Sequence, residues 1–137
     1  MPLYYADASA LVKLVLDEPE SSALRRFLTD ADLVSSELVL VEVPRAVRRA
    51  AAHDPRLPLG RLLDRTLEVL EALSLRPLDW EVLAEAGALA GPALRTLDAI
   101  HVATATDLAP TEGFISYDER QAATARLAGL RTIAPGA

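Results

Sequence analysis

The stretch Leu3-Tyr4-Tyr5-Ala6-Asp7-Ala8-Ser9 constrains the chain most, because a short apolar run ends in a carboxylate and passes at once into a helical pattern. An apolar strand with an acidic residue at its exit is the form of a central strand in an α/β sheet whose C-terminal end carries chemistry. Asp7 is therefore read as the first of several carboxylates that must meet in space. A central strand needs helices on both faces. At 137 residues the chain has the length for them as one domain, 1–137, and is too short for two.

The remaining pattern supplies those helices. Residues 10–16 read as a short helix halted by Asp17-Glu18-Pro19, since proline disfavours helix in the residue before it. Residues 20–30 place Ala23, Leu24, Phe27 and Leu28 at helical spacing. Residues 33–35 form a brief strand, and Ser36 is an N-cap candidate for a helix over 37–53. Pro44 lies inside that helix, where it deletes a backbone bond and predicts a kink near Glu42. A proline-marked loop precedes a helix over 59–73, and a strand over 74–78 leads to Asp79, which can cap a helix over 80–90 ended by Gly91-Pro92. A helix over 94–105 opening with a threonine cap, a strand over 113–117, a helix over 119–127 ended by Gly129 and a strand over 131–133 complete the chain. Strands alternating with helices in this way predict a mostly parallel sheet flanked by helices on both faces.

Composition narrows the chemistry. Half of the residues are apolar but few are aromatic, so the core must be aliphatic, and the chain is globular rather than disordered. There is no cysteine, which removes disulfides, zinc–thiolate sites and thiol nucleophiles and is compatible with a reducing cytoplasm. Any metal must sit on oxygen or on His53 and His101. No apolar run approaches the roughly 20 residues that cross a bilayer, and the N-terminus has no secretory pattern, so a soluble, cytoplasmic protein without a membrane partner is expected. The net charge of −6 is unusual for a nucleic-acid binder, although carboxylates gathered in one site would account for part of it and bound cations would reverse the local field. Thirteen arginines against the single Lys13 suit phosphate contacts, and codon bias is the preferred explanation.

Asp7 and Asp118 each stand where a strand gives way to a helix, and Asp98 stands in the first turn of one. Each alone is equally well explained as a cap or as a charge favoured by the helix dipole. Glu42 lies among Leu38, Val39, Val41 and Val43, where an ionised carboxylate is costly unless neutralised; the alternative is that it faces solvent or pairs with Arg45. If the strands ending in Asp7 and Asp118 are parallel, both carboxylates emerge at one sheet edge, and Glu42 and Asp98 can lean in. Such a cluster is a hard-cation site, for magnesium or manganese. His101, one turn after Asp98, is assigned to packing or structural hydrogen bonding rather than catalysis. Arg45, Arg48 and Arg49 share a helix with Glu42, with a solvated face as the default and contact with RNA or a partner as the alternative.

Four segments carry a resemblance. Tyr5-Ala6-Asp7-Ala8-Ser9-Ala10-Leu11-Val12-Lys13 comes first, then Ser36-Glu37-Leu38 with Glu42 and Arg45-Ala46 beyond. Leu97-Asp98-Ala99-Ile100-His101-Val102-Ala103-Thr104-Ala105 and Phe114-Ile115-Ser116-Tyr117-Asp118-Glu119-Arg120 follow, with a closing Gly129-Leu130 and Pro135-Gly136. In this order and spacing they resemble PIN domains, most closely the VapC toxins of toxin–antitoxin pairs. The resemblance spans nearly the whole chain and implies an α/β three-layer sandwich and a Mg2+-dependent endoribonuclease, Mn2+ being the alternative ion. It implies Asp7 and Asp98 as principal metal ligands, Glu42 as a ligand or orienter of the attacking water, Asp118 as a contributor through water, and Ser9 as support for Asp7. It also implies an RNA substrate, a small antitoxin that blocks the site, and a homodimer. Pro44 departs from the family's more usual residue.

Two other classes compete for the same residues. A haloacid-dehalogenase-type phosphatase wants an aspartate two residues after Asp7, where Ser9 stands, and a receiver domain wants a lysine late in the fold, whereas Lys13 is early. A non-catalytic module of PIN shape would have lost acidic residues, and here all four positions are filled.

Overall fold

The computed structural model describes residues 1–91 and 94–137. At its centre is β1 (Leu3–Ala6), from which the sheet extends to both sides. β2 (Asp32–Ser36) and then β3 (Ser74–Arg76) lie on one side, β4 (Gly113–Ile115) and then β5 (Thr132–Ile133) on the other, giving the order β3-β2-β1-β4-β5. Every pairing is parallel. Tyr5 stands opposite Val34 on one side and Phe114 on the other, so β1 is hydrogen-bonded along both edges and covered on both faces.

Side chains alternate across this sheet with the strand period of two. Tyr4, Ala6 and Ile115 pack with Leu11, Leu24, Val39 and Val43 on a face covered by α1 (Ala8–Val15), α2 (Ser21–Phe27), α3 (Val39–His53) and α4 (Leu59–Glu71). On the opposite face lie α5 (Trp80–Ala88), α6 (Thr96–Asp107) and α7 (Glu119–Leu127). Tyr5 and Phe114 meet Val102, Ala105 and Ala125 there, and Ala86 packs on Ile100 and Ala103. The Tyr5 and Phe114 rings stack at 5.2 Å with 12° between their planes. Each fully buried aliphatic side chain in these layers contributes about 1.5–3 kcal/mol of transfer free energy. The result is the expected helix–sheet–helix sandwich.

Several boundaries differ from the sequence pattern for local reasons. Ser36 ends β2 rather than capping a helix: its hydroxyl accepts from Leu38 N at 3.1 Å, and α3 begins only at Val39. Glu42 therefore sits in the first turn of α3, not in mid-helix, and the helix runs unbroken through Pro44 to His53. Thr96 is the first residue of α6 and not its cap, which is Arg95 and makes no side-chain bond to the helix. α5 stops at Ala88; Gly91 has φ +143°, and the Pro92 expected beside it lies outside the described residues. Asp79 does cap α5, accepting from Val82 N at 3.0 Å. Gly129, at φ +88°, ends α7 as expected: its N–H donates to Arg126 O and Leu130 N–H to Ala125 O, a pattern that needs a left-handed residue at this point.

Candidate metal and active site

β1 hands over to α1 at Asp7. Its backbone is still extended and its N–H donates to Ile115 O at 3.2 Å, so the ladder with β4 runs one residue past the strand. The carboxylate turns inward. Oδ1 accepts from Ala10 N (3.0 Å) and Ser9 Oγ (2.6 Å), while Oδ2 accepts from Ser116 Oγ (2.5 Å). Asp7 is thus a true N-cap, yet it is only 1% exposed, more burial than a cap requires. That burial pushes its carboxyl above the usual range, against the hydrogen bonds from Ser116 and Ser9, the nearby His101 and Ala10 N–H. Two donors occupy Oδ1 and one occupies Oδ2, which leaves Oδ2 a lone pair for a further partner. Ser9 also accepts from Tyr117 N at 2.9 Å, tying the ends of β1 and β4 together. This is where the sheet order reverses, the place where open α/β sheets hold ligands.

Asp118 lies two residues beyond Ser116 and caps α7, its Oδ1 accepting from Arg120 N (2.9 Å) and Gln121 N (3.2 Å). It is exposed. Asp98, in the first turn of α6, is half-buried; burial first, and then the Asp118 charge, raise its carboxyl, with Glu42 adding to them and His101 and Arg95 opposing. Glu42 does not pair with Arg45: its Oε1 meets His101 Nε2 at 2.6 Å. Glu42, Asp98, Asp118 and His101 line one cleft of about 510 Å³, together with Ala8 and Ser9, the residues that follow Asp7. The structure therefore gathers three of the four acids around an opening, while Asp7 is buried next in sequence to the lining residues Ala8 and Ser9.

The donor set suits a hard cation, being all carboxylate oxygen without cysteine, and a positive ion would relieve the burial and like-charge effects that raise Asp7 and Asp98. The spacing is open rather than cage-like. Among the described residues the one acidic trio with ligand atoms all within 4.8 Å of one another is Glu81, Glu85 and Asp107, which is exposed and remote from Asp7 in the fold. An ion held by one or two carboxylates and several waters, the habit of magnesium, fits such an open arrangement. A groove of about 660 Å³ shares Ala8, Ser9, Glu42, Arg49 and Leu97 with the cleft and continues past Val41, Arg45 and Lys13. Arg45 and Arg49 are thus on the approach to the acids, whereas Arg48 lines neither opening. Lys13, nearly buried, pairs with Glu20 (2.8 Å) and Glu18 (3.6 Å) and lies 4.7 Å over the Tyr117 ring.

Two residues at this site escaped the sequence pattern. Ser116 is the in-register partner of Asp7, because Ala6 stands opposite Ile115. Matching the two strand ends by register instead of by their acids would have found it. Tyr5 looked like core, but its hydroxyl reaches His101 Nδ1 at 2.7 Å. Burial raises the pKa of that phenol, so it stays protonated. His53 takes no part; it is exposed and bonded to Arg49 O.

The structure defines an α/β protein with acids lining a cleft at the switch point of an all-parallel sheet, and known proteins share its fold. The PIN domain pattern matches residues 4–127. Ribonuclease VapC46 of Mycobacterium tuberculosis is 40% identical, covering 98% of this chain and 99% of its own, and Ribonuclease VapC35 of the same species is 36% identical over 98% of each. The crystal structure of VapBC2 from Rickettsia felis bound to a DNA fragment from their promoter superposes with a TM-score of 0.70 at 12% identity, covering 97% of this chain and 98% of that one. PAE2754 from Pyrobaculum aerophilum superposes with a TM-score of 0.65 at 17% identity, over 96% and 83%. The chain belongs to the PIN-domain family, and within it to the VapC type. None of its described helices is long and apolar enough to cross a membrane.

Proposed function

We propose that the chain is a divalent-cation-dependent endoribonuclease, with magnesium as the working ion, acting in the cytoplasm as the toxin of a toxin–antitoxin pair. The observation that carries this reading is the meeting of Glu42, Asp98 and Asp118 on one cleft whose lining includes Ala8 and Ser9, the residues that follow the buried Asp7. Near-full-length relatives named as ribonucleases support it. Residues 1–137 act as one domain.

Asp7, through Oδ2, and Asp98 would hold the ion, with Asp118 acting through water. When bound, the ion supplies charge neutralisation at a phosphoryl oxygen and makes a water more acidic. Glu42, in the same cleft, orients the attacking water and takes its proton. In-line attack joins the water oxygen to phosphorus and breaks the bond to the 3′ oxygen, which takes a proton from solvent water while Glu42 later releases its own to solvent; the products carry a 5′-phosphate and a 3′-hydroxyl. Ser9 and Ser116 keep the Asp7 carboxylate from rotating, so the ligand geometry exists before substrate arrives.

The groove that passes Arg45 and Arg49 suits RNA phosphates during turnover. An antitoxin would block the same opening by laying a helix or extended segment over it and offering a cation to the acids. The likeness to a VapBC structure supports such a partner, and a homodimer is proposed as the working unit. The test is cleavage of RNA by the purified protein. With Mg2+ it should cut; EDTA or Asp7→Asn should abolish cutting. Cutting unchanged by both would overturn the metal-site reading.

A further inference from the structure

Three buried or half-buried side chains, from the central strand and from both helical layers, join end to end beside the cleft. Tyr5 of β1 is fully buried and clamped by its stack on Phe114. Its hydroxyl lies 2.7 Å from His101 Nδ1, and the two rings meet edge to face at 5.9 Å. His101, 1% exposed in the middle of α6, reaches Glu42 Oε1 of α3 at 2.6 Å. The hydrogens can run in only one sense if Glu42 is a carboxylate and the imidazole is neutral. A carboxylate only accepts, so Nε2 carries the hydrogen; Nδ1 then accepts, and the phenol donates to it. Glu42 thereby selects the tautomer, and Tyr5, by donating to Nδ1, holds the ring that aims the Nε2–H at Glu42.

Glu42 needs this hold. It has three rotatable side-chain bonds and stands in the first turn of a helix beside an open cleft. Among the described residues, His101 is the side chain that bonds it. With Oε1 taken, the carboxylate is fixed in orientation and Oε2 stays available to the cleft. We propose that His101, set by Tyr5, is a positioning residue for Glu42 in the reaction and not merely a packing residue between α6 and α3. This rests on the proposed ion-dependent nuclease reading, and it adds to that reading why the Glu42 carboxylate is held ready.

Nitrogen NMR of the histidine side chains, without metal or RNA, reads the tautomer directly. His101 should carry its hydrogen on Nε2 in the wild type and in Tyr5→Phe; the Nδ1–H form in the wild type would overturn the proposal. Steady-state RNA cleavage with Mg2+ supplies the second readout. His101→Leu should lower kcat by about 10- to 100-fold, the usual loss when a partner of a metal-site group is removed, with KM little changed. His101→Gln, whose amide keeps an N–H for Glu42, should recover most of kcat, and Tyr5→Phe should fall between. If His101→Leu melts early, Tyr5→Phe and His101→Gln still decide the matter, since both keep the site filled. Wild-type kcat in Tyr5→Phe, or a His101→Gln protein that is stable yet as slow as His101→Leu, would overturn it. A wild type that does not cleave RNA at all would instead count against the nuclease reading, and the tautomer measurement would still stand.

Discussion

At Asp7 the fold and the proposed chemistry meet. Its Oδ1 caps α1 and its Oδ2 faces a single donor, so the capping explanation and the ligand explanation use different atoms. The sign of its pH linkage follows from burial. A carboxyl raised in the folded state contributes stability that is complete below its unfolded pKa and lost as pH rises through the folded value. Once ionised, Asp7 therefore weakens the ion-free fold. In EDTA, Asp7→Asn should melt higher than wild type at pH values above the folded pKa of Asp7, and the gap should close as pH falls below it. Thermal unfolding followed by circular dichroism checks this; a lower melting temperature for the variant would contradict the assignment of burial as the dominant effect. Asp7 was legible in the sequence because a strand exit is marked by the end of an apolar run. Ser116 was not, because its role depends on register between two distant strands.

The elements carry these residues to the site through their ends. β4 ends at Ile115, two residues short of the strand expected over 113–117, and at this exit the Ser116 hydroxyl donates to Asp7 Oδ2. α3 starts later than its pattern suggests because the Ser36 hydroxyl accepts from Leu38 N first, and this late start puts Glu42 in an opening turn facing the cleft. Helical periodicity located the helices well, whereas the ends were decided by hydrogen bonds that no periodicity encodes. The β4–β5 pairing depends on Gly113. A Cβ there would come within 2.6 Å of Ile133 Cδ1 and 3.3 Å of Arg131 O. Gly113→Val should destabilise the protein by roughly 1–3 kcal/mol, the usual cost of overpacking, and Ile133→Ala in the same chain should recover part of it. Urea unfolding measures both; a loss that simply adds to that of Ile133→Ala would show that the contact is not the cause.

At the scale of the whole molecule, alternation of strands and helices predicted the parallel sandwich, and the order β3-β2-β1-β4-β5 adds what alternation does not contain. The reversal between β1 and β4 brings Asp7 and Asp118 to one edge, and the pairing of Tyr5 with His101 spans 96 residues of sequence. Such contacts follow from topology, not from local pattern. A net charge of −6 with several acids around one cleft predicts that divalent ions stabilise the fold. Mg2+ at about 100 times its dissociation constant should add ~2.7 kcal/mol in wild type. Asp7→Asn should lose most of this gain, and an equal ionic strength of NaCl should not reproduce it. The most direct measurement is a crystal structure of the protein soaked in Mn2+, with the ion located by anomalous scattering. The account predicts a peak within about 2.5 Å of Asp7 Oδ2, on the side facing Asp98, in keeping with oxygen coordination of a hard cation. A peak at Glu81, Glu85 and Asp107 with none at Asp7 would contradict it.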